Sequence, residues 1–139
     1  MPTETETFRW TEAYSVNVAK LDEQHRTLFN TVNELNRALV SGEGSAVLDP
    51  VLARLVEYAT EHFDLEETLM EQHRFPGLST HRTQHKMFRE KVGKLLEEHK
   101  NGRTGVPVSL MLFLQAWLKQ HVMKTDKQYT GFLNARGVK

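Results

Sequence analysis

Five of the chain's seven histidines, with one glutamate, stand where a helical core would place leucine. His25 shares a stripe with Leu21, Leu28, Val32, Leu35 and Leu39. His62 and Glu66 share one with Leu52, Leu55, Ala59 and Leu69. His81 and His85 fall in line with Leu78, Phe88, Val92 and Leu95, and His121 follows Leu110, Leu114 and Trp117. Steps of three and four put each set on one helical face. Burying such groups without partners costs about 1–3 kcal/mol each. They must satisfy one another or hold something between them, and a cation does both. HFDLE and HRTQH each set two ligand-type side chains four residues apart, on one face of a helix. Five imidazoles and a carboxylate exceed what one tetrahedral zinc can use. They suit two five- or six-coordinate ions that share bridging carboxylates. Imidazole with carboxylate accommodates iron, manganese, zinc or copper, and the residue types alone do not choose.

Glycine and proline mark the elements that must position these groups. SGEGS (41–45), FPG (75–77) and NGRTGVP (101–107) divide the chain into four long segments after an N-terminal arm. The spacing predicts helices near 20–41, 49–73, 78–100 and 107–133, with the arm over 1–19. Asp49 and Pro50 suit the N-cap and first position of the second helix. A short alternation over Tyr14–Val18 is the one strand-like piece. Four helices with short connections predict an all-α fold, an antiparallel up-down-up-down four-helix bundle in a single domain over 1–139. Such a bundle brings the start of the first helix, the end of the second, the start of the third and the end of the fourth to one level. The ligand-type residues then spread over only about 10 Å along the axis.

Composition removes other functions. The absence of cysteine excludes thiolate metal sites and cysteine catalysis, and fits a reducing compartment. Eighteen basic and eighteen acidic side chains balance, without the basic excess of a nucleic-acid binder. The most apolar run, VSLMLFLQAWL, has eleven residues, too short to span a bilayer. The opening MPTETETFRW has no signal-peptide pattern. A cytoplasmic protein without membrane insertion is expected. HExxH, Walker, GxGxxG and GxSxG motifs are missing, as are the Glu-x-x-His pairs of ferritin-type sites. Residues 1–72 carry a net charge of −9 and residues 73–139 a net charge of +9, which predicts attraction between the two halves. Asp22 reads as part of a helix start, and His73 and His99 as helix-terminus residues.

Three runs then carry a resemblance. Trp10 with YSVNVAKLDEQH (14–25), HFDLEETLMEQHRFPGLSTHRTQH (62–85) and WLKQHVMKTDKQY (117–129) occur in order and at matching separations. Together they resemble the hemerythrin family, specifically its single-domain bacterial members. The resemblance implies a non-haem centre of two iron ions with an oxo or hydroxo bridge. His81, His85 and His121 would hold one iron, His25 and His62 the other, and Glu66 and Asp126 would bridge both. One coordination position on the two-histidine iron would stay open for dioxygen. Asp126 comes from the resemblance alone, because five residues after His121 is about 140° further round an ideal helix. A local helix distortion is needed to bring it in. Glu67 is then the neighbour that does not bind metal, expected in solvent. Leu28, Phe63, Trp117, Leu118 and Val122 match the family's apolar oxygen pocket. Val122 is smaller than the isoleucine expected there, which predicts a roomier pocket.

The function implied is reversible dioxygen binding for storage, delivery or buffering, without enzyme activity. An electron donor or an oxygen-consuming enzyme is the implied partner besides dioxygen. The alternatives are a di-iron peroxidase, oxidase or nitric-oxide-reducing enzyme, an oxygen or redox sensor, and a metal-homeostasis module holding iron or zinc.

Overall fold

A computed structural model describes residues 9–139. Four long helical rods follow a short arm: α1 (Ala19–Val40), α2 (Gly44–Gln72), α3 (Leu78–Lys100) and α4 (Val106–Trp117). The last rod continues from α4 without a loop, through a π-helical stretch (Leu118–Thr125) and a 3-10 turn (Asp126–Tyr129) into α5 (Thr130–Asn134). Consecutive rods pack on each other and α1 closes the ring against α4. This is an all-α four-helix bundle, as the hydrophobic stripes require.

The connections are short because each helix stops on the same device. After α1, Gly42 takes a positive φ of 74° and the Glu43 N–H reaches back to the Ala38 carbonyl at 2.7 Å. After α3, Gly102 does the same, and the Arg103 N–H bonds the Glu98 carbonyl. These are Schellman stops, in which a left-handed residue lets the chain satisfy carbonyls left open at a helix end. After α2 the left-handed position is Arg74 (φ 56°), where a Cβ is strained.

Two expectations about elements are corrected. The second helix begins at Gly44, five residues before the predicted 49, so Pro50 lies inside it. Proline has no N–H to give the carbonyl four residues back, but burial of Leu48, Val51 and Leu52 along the same face carries the helix through. The alternation over Tyr14–Val18 forms no strand, and there is none among the described residues. Glu12–Tyr14 instead make a 3-10 turn. The arm's polar groups are taken up by Asp22, whose carboxylate accepts from the Ser15 hydroxyl at 2.6 Å and the Val16 N–H at 2.8 Å. Asp22 thus clamps the arm to the start of α1. The arm also lays Trp10 and Tyr14 against Phe29, with ring centroids 5.4 Å and 4.5 Å away.

The core is divided. A large apolar cluster includes Leu28, Val32, Leu52, Leu55, Phe63, Phe88, Leu110 and Val122. A smaller one holds Val16, Val18, Leu21, Met70, Tyr129 and Leu133. Along every rod the ligand-type residues fall between members of the two. A polar layer, all of it buried, is therefore sandwiched between apolar ones.

Candidate metal centre

Seven side chains make the polar layer: His25 from α1, His62 and Glu66 from α2, His81 and His85 from α3, and His121 and Asp126 from the last rod. Each is at most 2% exposed. Their donor atoms form two groups, His81, His85, His121 and Asp126 on one side, and His25, His62, Glu66 and Asp126 on the other. Within each group the atoms lie within 4.8 Å of one another. Asp126 belongs to both: its Oδ1 lies 3.0 Å from His81 Nε2 and 3.0 Å from His121 Nε2, and its Oδ2 lies 3.1 Å from His25 Nε2. Glu66 also spans the two, with Oε1 3.3 Å from His62 Nε2 and 3.2 Å from His85 Nε2.

Asp126 is brought in by the helix distortion that its spacing demands. Its N–H bonds the His121 carbonyl, five residues back. A π-helical bond of that kind widens the turn and puts residues five apart on one face. The backbone itself therefore aligns His121 with Asp126.

The donor set tests whether a metal fits. His25 Nε2, His62 Nε2, Glu66 Oε1, His85 Nε2, His121 Nε2 and Asp126 Oδ2 are all buried without a hydrogen-bond partner. Six polar atoms left unpaired in one layer are unfavourable unless something bound between them takes them. The charges agree. Burial and the Asp126 carboxylate push Glu66 upward, yet His62 and His85 overcome both and hold it far below the ordinary carboxylate range. Burial pushes Asp126 upward too, but His121, His25 and His81 hold it well below. Burial lowers His62, against the raising pull of Glu66, and so favours its neutral form. At His25 and His85 burial is outweighed by carboxylates, Asp126 for the first and Glu66 for the second, and both are raised.

Behind these histidines lies a set of partners that sequence reasoning missed. Gln24 Oε1 accepts from His62 Nδ1 at 2.6 Å, and Gln84 Oε1 from His121 Nδ1 at 2.5 Å. Glu67 is not in solvent: its Oε2 lies 2.8 Å from His85 Nδ1, and its side chain is only 18% exposed. Arg82 and Arg89 flank it, at 3.4 Å and 3.9 Å. These contacts fix each ring so that Nε2 faces the centre. One signal was available for the amides: glutamine directly precedes histidine at 24–25, 72–73, 84–85 and 120–121. One residue before an inward histidine is about 100° round the helix, facing the neighbouring rod. From the smaller cluster, Tyr129 donates its hydroxyl to Glu66 Oε2 at 2.5 Å.

The five expected pocket residues are all buried. Phe63 lies flat on His85 (3.8 Å, 3°) and Trp117 on His121 (3.9 Å, 13°), so both wall the three-histidine group. The ring stacked on His62 is Tyr58 (4.8 Å, 17°). His73 and His99 stand outside the layer, the first capping α2 and the second in the last turn of α3, 2.9 Å from Asp49.

Comparison with known proteins agrees with this architecture. The family profile described as "Hemerythrin HHE cation binding domain" matches residues 16–133. A bacteriohemerythrin of Methylococcus capsulatus is 31% identical over 127 residues, 91% of this chain and 96% of that protein. A myohemerythrin of Theromyzon tessulatum is 28% identical over 92% of this chain and 95% of its own length. A crystal structure of hemerythrin carrying one substitution superposes with a TM-score of 0.78 at 27% identity, covering 92% of this chain and 98% of that one. The chain belongs to the hemerythrin family. Its function is dioxygen binding at a non-haem di-iron centre, the property for which the family is known. None of its described helices is long and apolar enough to cross a membrane.

Proposed function

We propose that His81, His85 and His121 hold one iron, His25 and His62 hold the other, and Glu66 and Asp126 bridge the pair. The convergence of six buried, unpaired donor atoms on one layer carries this reading. Bound there, the pair of irons would supply an open coordination position for dioxygen and the electrons on which its uptake draws. Gln24, Glu67 and Gln84 hold three imidazoles in the tautomer that presents Nε2. Tyr129 orients Glu66 by donating to its outer oxygen. Leu28, Phe63, Trp117, Leu118 and Val122 keep water from the layer, which disfavours escape of reduced oxygen species.

The reading is carriage rather than turnover, in one domain. Among the described residues the buried titratable side chains are the seven proposed ligands and two tyrosines. A cytoplasmic location and an electron donor that keeps the irons ferrous complete the proposal. The test is to reduce the iron-loaded protein anaerobically, admit air and then apply vacuum. An oxygenated spectrum that reverses supports carriage. Immediate return to the diferric spectrum with continued consumption of reductant would establish an enzyme instead.

A further inference from the structure

We propose that the Tyr58 hydroxyl donates a hydrogen bond to the ligand taken up on the two-histidine side of the centre, and so selects ligands with negative charge on their outer atom. This rests on the iron assignment above. Tyr58 lies one turn before His62 on α2, stacked on its ring and set edge-on to Phe63 (5.2 Å) and Phe88 (5.7 Å). Its hydroxyl is buried with no hydrogen-bond partner, and so is the Trp117 indole N–H. Phenylalanine would pack in the same space without leaving a polar atom unpaired. Two unsatisfied donors therefore belong to the same apolar cluster as Leu28, Leu118 and Val122.

A hydroxyl on a ring stacked against His62, and without a partner of its own, favours a ligand that accepts there. Tyr58 also lines a surface cleft of about 290 Å³, shared with Gln24, Thr27, Arg54 and His62.

Azide, a linear anion that binds ferric ions, is the probe. The diferric protein and Tyr58→Phe are titrated with azide optically, alongside iron content and thermal unfolding. The proposal expects two irons per chain in both, and a Kd for azide about tenfold higher in Tyr58→Phe, the size of one hydrogen bond to a charged acceptor. It also expects an unchanged or higher Tm, because an unpaired buried hydroxyl has been removed. That split separates ligand binding from packing. Equal azide affinity in the two proteins overturns the proposal and leaves the iron assignment standing. Loss of iron or a lower Tm with unchanged azide affinity makes Tyr58 a structural residue and overturns it as well. A wild-type protein that holds no iron pair overturns both readings.

Discussion

The imidazoles of this centre differ in what stands behind them. His62 and His121 bond neutral amides, His85 bonds the Glu67 carboxylate, and His25 Nδ1 and His81 Nδ1 have no partner. A carboxylate makes its imidazole the stronger donor to a metal. Glu67→Ala is therefore expected to weaken iron binding about tenfold to a hundredfold, measured by competition with a chelator, with little change in helix content. Tyr58 and Tyr129 give a second prediction. Burial, reinforced by Glu66 and Asp126, raises both well above 10. The unfolded chain releases these protons first, near the ordinary tyrosine value of about 10. Their contribution to stability is thus intact below about pH 10 and is lost as pH rises through the folded values. Tm is expected to fall above that point, and tyrosinate absorbance from these two of the chain's three tyrosines to appear with unfolding rather than before it. The six ligand-type residues of the layer were legible in the sequence because each displaces a leucine from a stripe. Glu67, Gln24, Gln84, Tyr58 and Tyr129 were not, because each finds its role through a neighbour on another rod or on another face of its own.

At the scale of elements the last rod is the unusual one. An ordinary helix would turn Asp126 away from His121, and the π-helical stretch over Leu118–Thr125 brings it back. Sequence periodicity assumes 3.6 residues per turn, so it indicated that a distortion was needed without locating it. Capping chemistry misplaced the start of α2, where Asp49 and Pro50 looked like an N-cap and first-turn pair and prove to be interior. Register can be tested directly. One alanine inserted after Met123 turns Asp126 about 100° further round. Iron is then expected to fall below two per chain while the far-UV helical signal persists. Deleting Met123 leaves three residues between His121 and Asp126, the i,i+4 same-face spacing of an ordinary helix, and is expected to retain more iron than the insertion. Equal iron content in the two variants would separate Asp126 from the centre.

Across the whole molecule the charge asymmetry becomes a lateral one. Acidic α2 lies against basic α3, with Arg82 bridging Glu67 and Glu71 and Arg89 beside Asp64. The Arg82–Glu71 and Arg89–Asp64 pairs are exposed and contribute little to stability, on the order of 0–1 kcal/mol each. The load falls on the two apolar clusters, which seal the polar layer from above and below. Metal binding is linked to folding in such a layer, since the orphaned donors are its chief unfavourable feature. Iron held as proposed lies within this layer. Anomalous diffraction at the iron edge, from crystals of the iron-loaded protein, locates it directly. Two peaks are expected, one among His81, His85 and His121 and one beside His25 and His62, both in contact with Glu66 and Asp126. A single peak, or two that do not share those carboxylates, would contradict that placement.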